Sequence, residues 1–184
     1  MKRVLLLAVA LMMLGGVKAQ KPVYFYGIDF TQVKSYGEMR TAEEFRTAFM
    51  GINRLMYTEA DKYHFGEMLG CTYQTDLQPM LAYTQRASFS DVVSYGTEIP
   101  ILDVPSIVRG YELQQKAGRG MIFIARVLHK YNERGYFYAV LFDIATREII
   151  LMEEVDGQAR GFGLRNHWAA PLYQISKNSR WRVN

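Results

Sequence analysis

A single cysteine, Cys71, stands among 184 residues. One thiol cannot form an intramolecular disulfide, so the fold must be held by its core alone. Only three histidines occur, His64, His129 and His167. No two of them share a metal-ligand spacing, and no HExxH or thiolate cluster is present, which argues against a structural or catalytic metal. The chain also lacks a GxSxG elbow, an SxxK pair and a phosphate loop ending in Lys-Ser/Thr. No cofactor is expected. Long apolar runs are missing too: Val4 to Leu14 has 11 residues, against the ~20 that a membrane-spanning helix needs.

That short run has the anatomy of a leader. Lys2 and Arg3 precede it, Gly15 and Gly16 end it, and Val17-Lys18-Ala19 follows with small or modest side chains. Cleavage is expected after Ala19, making residues 1–19 a signal peptide and Gln20 the new first residue. The competing reading is a buried amino-terminal helix. The order of charge, apolar run and small-residue site favours the leader. No cysteine follows the cleavage point, so a lipid anchor is not expected. The product is therefore expected in the periplasm or outside the cell.

Loss of the leader removes Lys2, Arg3 and Lys18 but no acid, leaving 165 residues with 19 basic and 18 acidic. So even a balance gives no strong attraction to nucleic acid or anionic lipid. A chain of this length fits one domain and buries about two thirds of its surface on folding. Its 13 Tyr and 10 Phe argue against disorder.

The pattern of residues predicts an α+β fold. Val23 to Phe30 reads as a strand covered on both faces. Lys34 to Arg40 reads as a polar connection. Thr41 and Glu44 form a capping box, and Phe45, Phe49, Ile52, Met56 and Ala60 recur at helical spacing, predicting a helix from Ala42 to about Lys62. Tyr63 to Gly70 adds a helical turn. Residues 72–95 fit strand or helix. Tyr73, Thr75 and Leu77 alternate, Pro79 suits only a strand end or edge, and Ser88 to Tyr95 fits a short helix. Asp103 followed by Val104-Pro105 starts another helix, closed by Gly118 and Gly120. Met121–Leu128, Tyr136–Ile144 and Glu148–Val155 predict an antiparallel meander with a solvated third strand. A glycine-rich loop, Gly157 to Gly163, leads to a last helix reaching about Lys177, in which Pro171 costs a backbone bond unless it lies in the first turn. Residues 178–184, with Arg180-Trp181-Arg182, read as a flexible tail. The sum is a central mixed sheet with helices on both faces, or with one face covered by a partner chain.

Two stretches, FDIATREIILMEEVDGQARGFGLRNHWA (Phe142 to Ala169) and YGIDFTQVKSYG (Tyr26 to Gly37), resemble a family of small exported proteins from Bacteroidetes-type bacteria. That resemblance implies export and carries over no catalytic residues. The order of elements is loosely similar to envelope accessory domains such as the TolB amino-terminal domain, which bears on fold alone.

Candidate chemistry concentrates in Gly161-Phe162-Gly163-Leu164-Arg165-Asn166-His167-Trp168. Glycines before a helix expose backbone amides to an anion, and Arg165 could clamp it. The alternative is a tight crossing capped by Asn166 with Trp168 anchored in the core. Asp29 and Asp143 interrupt apolar strands, as a general base, a ligand contact or a turn cap would. Arg126 is a candidate ion-pair partner for either. His64 and Cys71 lie two helical turns apart, and could form a nucleophilic pair or simply pack. The expected function is a non-catalytic envelope module binding a partner protein or small ligand through Asp29, Arg165, Asn166, His167 and Trp168, with self-association open. A hydrolase of an envelope polymer or peptide would instead need Asp29, Asp143, His64 or Cys71 to converge. A structural or stress-induced protein with no small-molecule site is the third expectation.

Overall fold

The computed structural model describes residues 21–181; residues 1–20, on which the expected signal peptide falls, and residues 182–184 lie outside them. Seven strands form one sheet: β1 (Val23–Asp29), β2 (Lys34–Tyr36), β3 (Gln74–Thr75), β4 (Val93–Ser94), β5 (Arg119–His129), β6 (Arg134–Asp143) and β7 (Ile149–Gln158). Among the described residues five α-helices accompany it: α1 (Ala42–Thr58), α2 (Phe65–Leu69), α3 (Gln78–Arg86), α4 (Val104–Arg109) and α5 (Gly163–Asn178). The fold is α+β.

The longest strand, β5, organises the sheet. One of its edges pairs antiparallel with β6, which pairs antiparallel with β7. The other edge carries two short strands end to end. β1 runs parallel to residues 119–124 and β2 parallel to residues 127–129. β3 and β4 then add in parallel outside β1 and β2. All four pairings outside the β5–β6–β7 ribbon are parallel. The segment read as a polar connection thus contains β2. Its three residues, Lys34, Ser35 and Tyr36, are too few to show periodicity.

Helices cover both faces. On one, Phe45, Phe49 and Ile52 of α1 and Trp168, Leu172 and Ile175 of α5 pack on Phe123, Phe137 and Leu141. On the other, Val104 and Val108 of α4 pack with Tyr26, Ile124, Val140 and Phe142. Helix α1 begins as its sequence predicts. The Thr41 hydroxyl accepts from the Glu44 amide at 3.2 Å, and the Glu44 carboxylate accepts from the Thr41 amide at 2.9 Å. These bonds hold the Glu44 carboxyl below its usual range. The helix ends at Thr58, earlier than predicted, and a single 3₁₀ turn covers residues 60–62.

Other departures have local causes. Pro79 lies in the first turn of α3, where its missing N–H costs nothing. Residues 93–94 pair with β2 rather than forming a helix. Helix α4 stops at Arg109, because Gly110 caps it well before Gly118 and Gly120. Asn166 is not the cap of α5. That position belongs to Phe162, whose side chain caps nothing, and Pro171 sits inside the helix. The tail is not wholly loose: the Trp181 indole N–H donates to Glu153 at 2.7 Å, and its backbone N–H donates to the Met68 carbonyl. Arg182 lies outside the described residues.

One irregularity shapes the core. Phe25 pairs with Met121 but Ile28 with Phe123, so β1 carries one extra residue. Gly27 takes φ +89° there, a conformation that favours glycine. The bulge frees the backbone of Ile28. Asn53, fully buried in α1, satisfies both groups: its Oδ1 accepts from the Ile28 N–H at 2.8 Å, and its Nδ2 donates to the Ile28 carbonyl at 2.9 Å.

Candidate functional site

Strands β2, β4 and β5 are mutually parallel and finish together, at Tyr36, Ser94 and His129. In open α/β sheets, ligands bind in the crevice outside such carboxyl ends. The segments leaving these strands, residues 37–40, 95–97 and 130–131, form one rim. The glycine-rich loop joins them, since the Ala159 N–H donates to Glu133 in the β5–β6 turn at 2.7 Å.

A charged cluster sits under that loop. Glu38, 9% exposed, accepts from Arg40 Nε at 3.2 Å and pairs with Lys130 Nζ at 3.6 Å. Lys130 Nζ lies 3.4 Å from His167 Nε2. An ammonium can only donate, so Nε2 accepts, and the ring's proton rests on Nδ1 beside the Gly161 backbone carbonyl. Burial lowers the His167 pKa, Lys130 lowers it further, and Glu38 opposes both. The pocket shared by Glu38, Lys130, Gly161 and His167 has a volume of about 90 Å³. Beside it, an open cleft of about 750 Å³ runs between α1 and the start of α5, lined by Arg40, Glu44, Arg54 and Arg165. Arg165 lies across α1 at Gly51, where an added Cβ would meet its Cδ at 2.7 Å. Its Nε donates to Asn166 Oδ1 at 3.0 Å.

A second pocket, of about 290 Å³, opens on the same rim. Its walls are Tyr36, Met39, Tyr95, Thr97, His129 and Tyr131, with Ser94 and two glycines. The Tyr36 hydroxyl donates to the Glu98 carbonyl at 2.5 Å. His129 stands edge-on to Tyr36, with centroids 5.5 Å apart, and edge-on to Tyr131 at 6.3 Å. Tyr95 and Tyr131 are more than four-fifths exposed.

The structure divides the predicted site residues. Arg165, Asn166 and His167 border the clefts around α5. Trp168 does not: it is fully buried in the core, its ring edge-on to His167 at 4.7 Å. Asp29 is buried elsewhere and serves a turn. Its carboxylate accepts from the Thr31 N–H at 2.8 Å and from the Tyr111 hydroxyl at 2.7 Å. Burial, then the Asp29 charge, pushes the Tyr111 pKa well up. Asp143 caps the β6–β7 turn through the Ala145 and Thr146 amides. Its pKa is lowered first by the Lys21 hydrogen bond, then by those amides.

The convergence that a hydrolase reading requires is not present among the described residues. Asp29 pairs with Ile124 on one edge of β5, and Asp143 with Arg119 on the other. Five residues along the strand separate these levels, about 17 Å at roughly 3.3 Å per residue. His64 Nδ1 contacts Glu67 at 3.1 Å, and burial raises the Cys71 pKa, which disfavours its thiolate. Arg126 pairs with neither aspartate. It bonds Glu154 at 2.8 Å and lies 4.3 Å over the Tyr138 ring.

Sequence reasoning missed Glu38, Lys130 and the aromatic pocket. Glu38 and Lys130 are 92 positions apart, and only the pairing of β2 with β5 brings them together. Among the described residues, no group of three or more His, Cys, Asp or Glu is placed to hold a metal ion, and no helix is long and apolar enough to cross a membrane. Comparison with protein-family models, curated proteins and solved structures gave no match.

Proposed function

We propose that the protein is an exported, non-catalytic binding module of the bacterial envelope, with its ligand site at the carboxyl end of β2, β4 and β5. One observation carries this reading. Segments 36–40, 94–97, 129–131 and 159–167 meet at that single rim and enclose both the Glu38–Lys130–His167 cluster and the aromatic pocket. Convergence of distant segments on concave surface is how binding sites are built on a rigid scaffold. The leader-like residues 1–19 support export. Glu38, Lys130 and His167 satisfy one another, which suits a preorganised wall rather than a nucleophile with its base.

Export is tested by expressing the full chain with its own amino terminus and sequencing the product, which should begin at Gln20. Binding is tested by recording amide spectra of the labelled protein against the low-molecular-weight fraction of an envelope extract. Shifts clustered at residues 36–40, 94–97, 129–131 and 159–167 are expected. A product retaining Met1, or shifts confined to other surfaces, refutes the proposal.

A further inference from the structure

We propose that the pocket walled by Tyr36, Tyr95, His129 and Tyr131 takes an uncharged sugar ring of a glycan chain, an assignment that rests on the binding-module reading above. The first argument is charge. No Asp, Glu, Lys or Arg lines this pocket, whereas the neighbouring clefts are lined by Arg and Glu. A phosphate or carboxylate entering it would lose hydration and gain no opposite charge in return. The occupant is therefore neutral.

The second argument is the mixture of surfaces. Ring faces alternate with polar groups: Thr97 and Ser94 hydroxyls, the phenols of Tyr95 and Tyr131, and the His129 imidazole. The Asn132 N–H donates to His129 Nδ1 at 3.4 Å, so the neutral ring carries its proton on Nε2, as a donor. A hydrocarbon would leave these groups without partners, at a cost for each. A sugar ring has a C–H face to lie against an aromatic ring and hydroxyls around its edge to meet donors and acceptors.

The third argument is how the rings are presented. Tyr131 is 81% exposed and yet positioned. Its ring rests on Gly37, where an added Cβ would lie 2.5 Å from it, and Gly37 holds φ +80°. The ring is thus held close against the Gly37 main chain while most of its surface stays open to solvent. Tyr36 is fixed by Glu98 behind it, and His129 stands between the two tyrosines. A wall positioned in advance loses little freedom on binding. The volume of about 290 Å³ is at the small end of the roughly 300–1,000 Å³ usual for ligand pockets. That suits a single ring, with the chain continuing past the exposed Tyr95.

The test is calorimetric titration of the full-length protein, expressed and purified as processed, with neutral hexasaccharides: maltohexaose, cellohexaose, chitohexaose, β-1,3-glucan hexaose and mannohexaose. At least one should bind with a Kd on the order of 0.1–1 mM. Tyr131→Ala and Tyr95→Ala should each weaken it about tenfold, while Tyr131→Phe, which keeps the ring face, stays within about threefold. Tyr57→Ala, at an exposed tyrosine of α1, should bind as the parent does. Histidine ring signals of His129 in the unmodified protein should shift on binding, independently of any variant. Failure of all five sugars, or alanine variants that bind unchanged, overturns the glycan assignment, as does binding of a Tyr-rich peptide in their place. If envelope-extract shifts still cluster on the rim when no sugar binds, the module reading stands and only the ligand class falls.

Discussion

Asn53 is the residue whose loss should cost the fold most for its size. It is fully buried, and its amide closes two hydrogen bonds, 2.8 and 2.9 Å, onto the Ile28 backbone at the β1 bulge. Asn53→Ala leaves one N–H and one C=O buried without partners. Each such group costs about 1–3 kcal/mol, and partial hydration of the vacated space returns some of it, so about 3 kcal/mol is expected. For a domain of this size that lowers Tm by roughly 6–12 °C. Asn53→Asp is more informative. Its Oδ1 can still accept from Ile28, but the second oxygen faces the Ile28 carbonyl where an N–H₂ stood. Burial and that carbonyl raise the folded-state pKa of the new carboxyl above its unfolded value. The penalty is then full at pH 7 and shrinks as pH falls through the raised value, because the protonated acid regains a donor. Urea unfolding followed by the fluorescence of Trp168 and Trp181, both buried, reads both variants against the parent. An alanine variant that loses less than about 1 kcal/mol would sink the reasoning. So would an aspartate deficit that stays flat between neutral and mildly acidic pH.

Three further outcomes are expected. His167 has a lowered pKa through burial and Lys130; its stabilising effect is full above the ordinary histidine value of about 6.5 and is lost as pH falls through that value toward the lower folded one. Urea midpoints should therefore drop from pH 7.5 to 5.5, and His167→Gln should flatten the drop. Trp181→Ala removes a buried ring and its bond to Glu153, so about 3 kcal/mol is lost and carboxypeptidase should trim the carboxyl terminus faster. An added Cβ at Gly157 would sit 2.5 Å from the Pro171 carbonyl oxygen, a main-chain atom that no rotamer change can move. Gly157→Ala should cost about 1–3 kcal/mol, whereas Gly66→Ala in α2, with nothing nearer than 3.6 Å, should be neutral or slightly stabilising in the same melt.

By itself the sequence determined the elements whose cause is local. The Thr41–Glu44 box starts α1, Asp103 with Pro105 starts α4, and the stretches 121–128, 136–144 and 148–155 fall on β5, β6 and β7, the last two each running one residue past the strand, because caps, turns and apolar spacing act within a few residues. Only the tertiary structure decided the rest. Strands β2, β3 and β4 have two or three residues each and exist because β5, β1 and β2 respectively offer them edges. The roles of Asp29, Trp168 and Asn53 depend on which buried backbone or ring lies opposite, which is set by packing between segments dozens of residues apart. The same holds for the rim of the candidate site. Tyr36, Ser94 and His129 become neighbours only once the parallel strands are in register, and no local property of any one segment encodes that meeting.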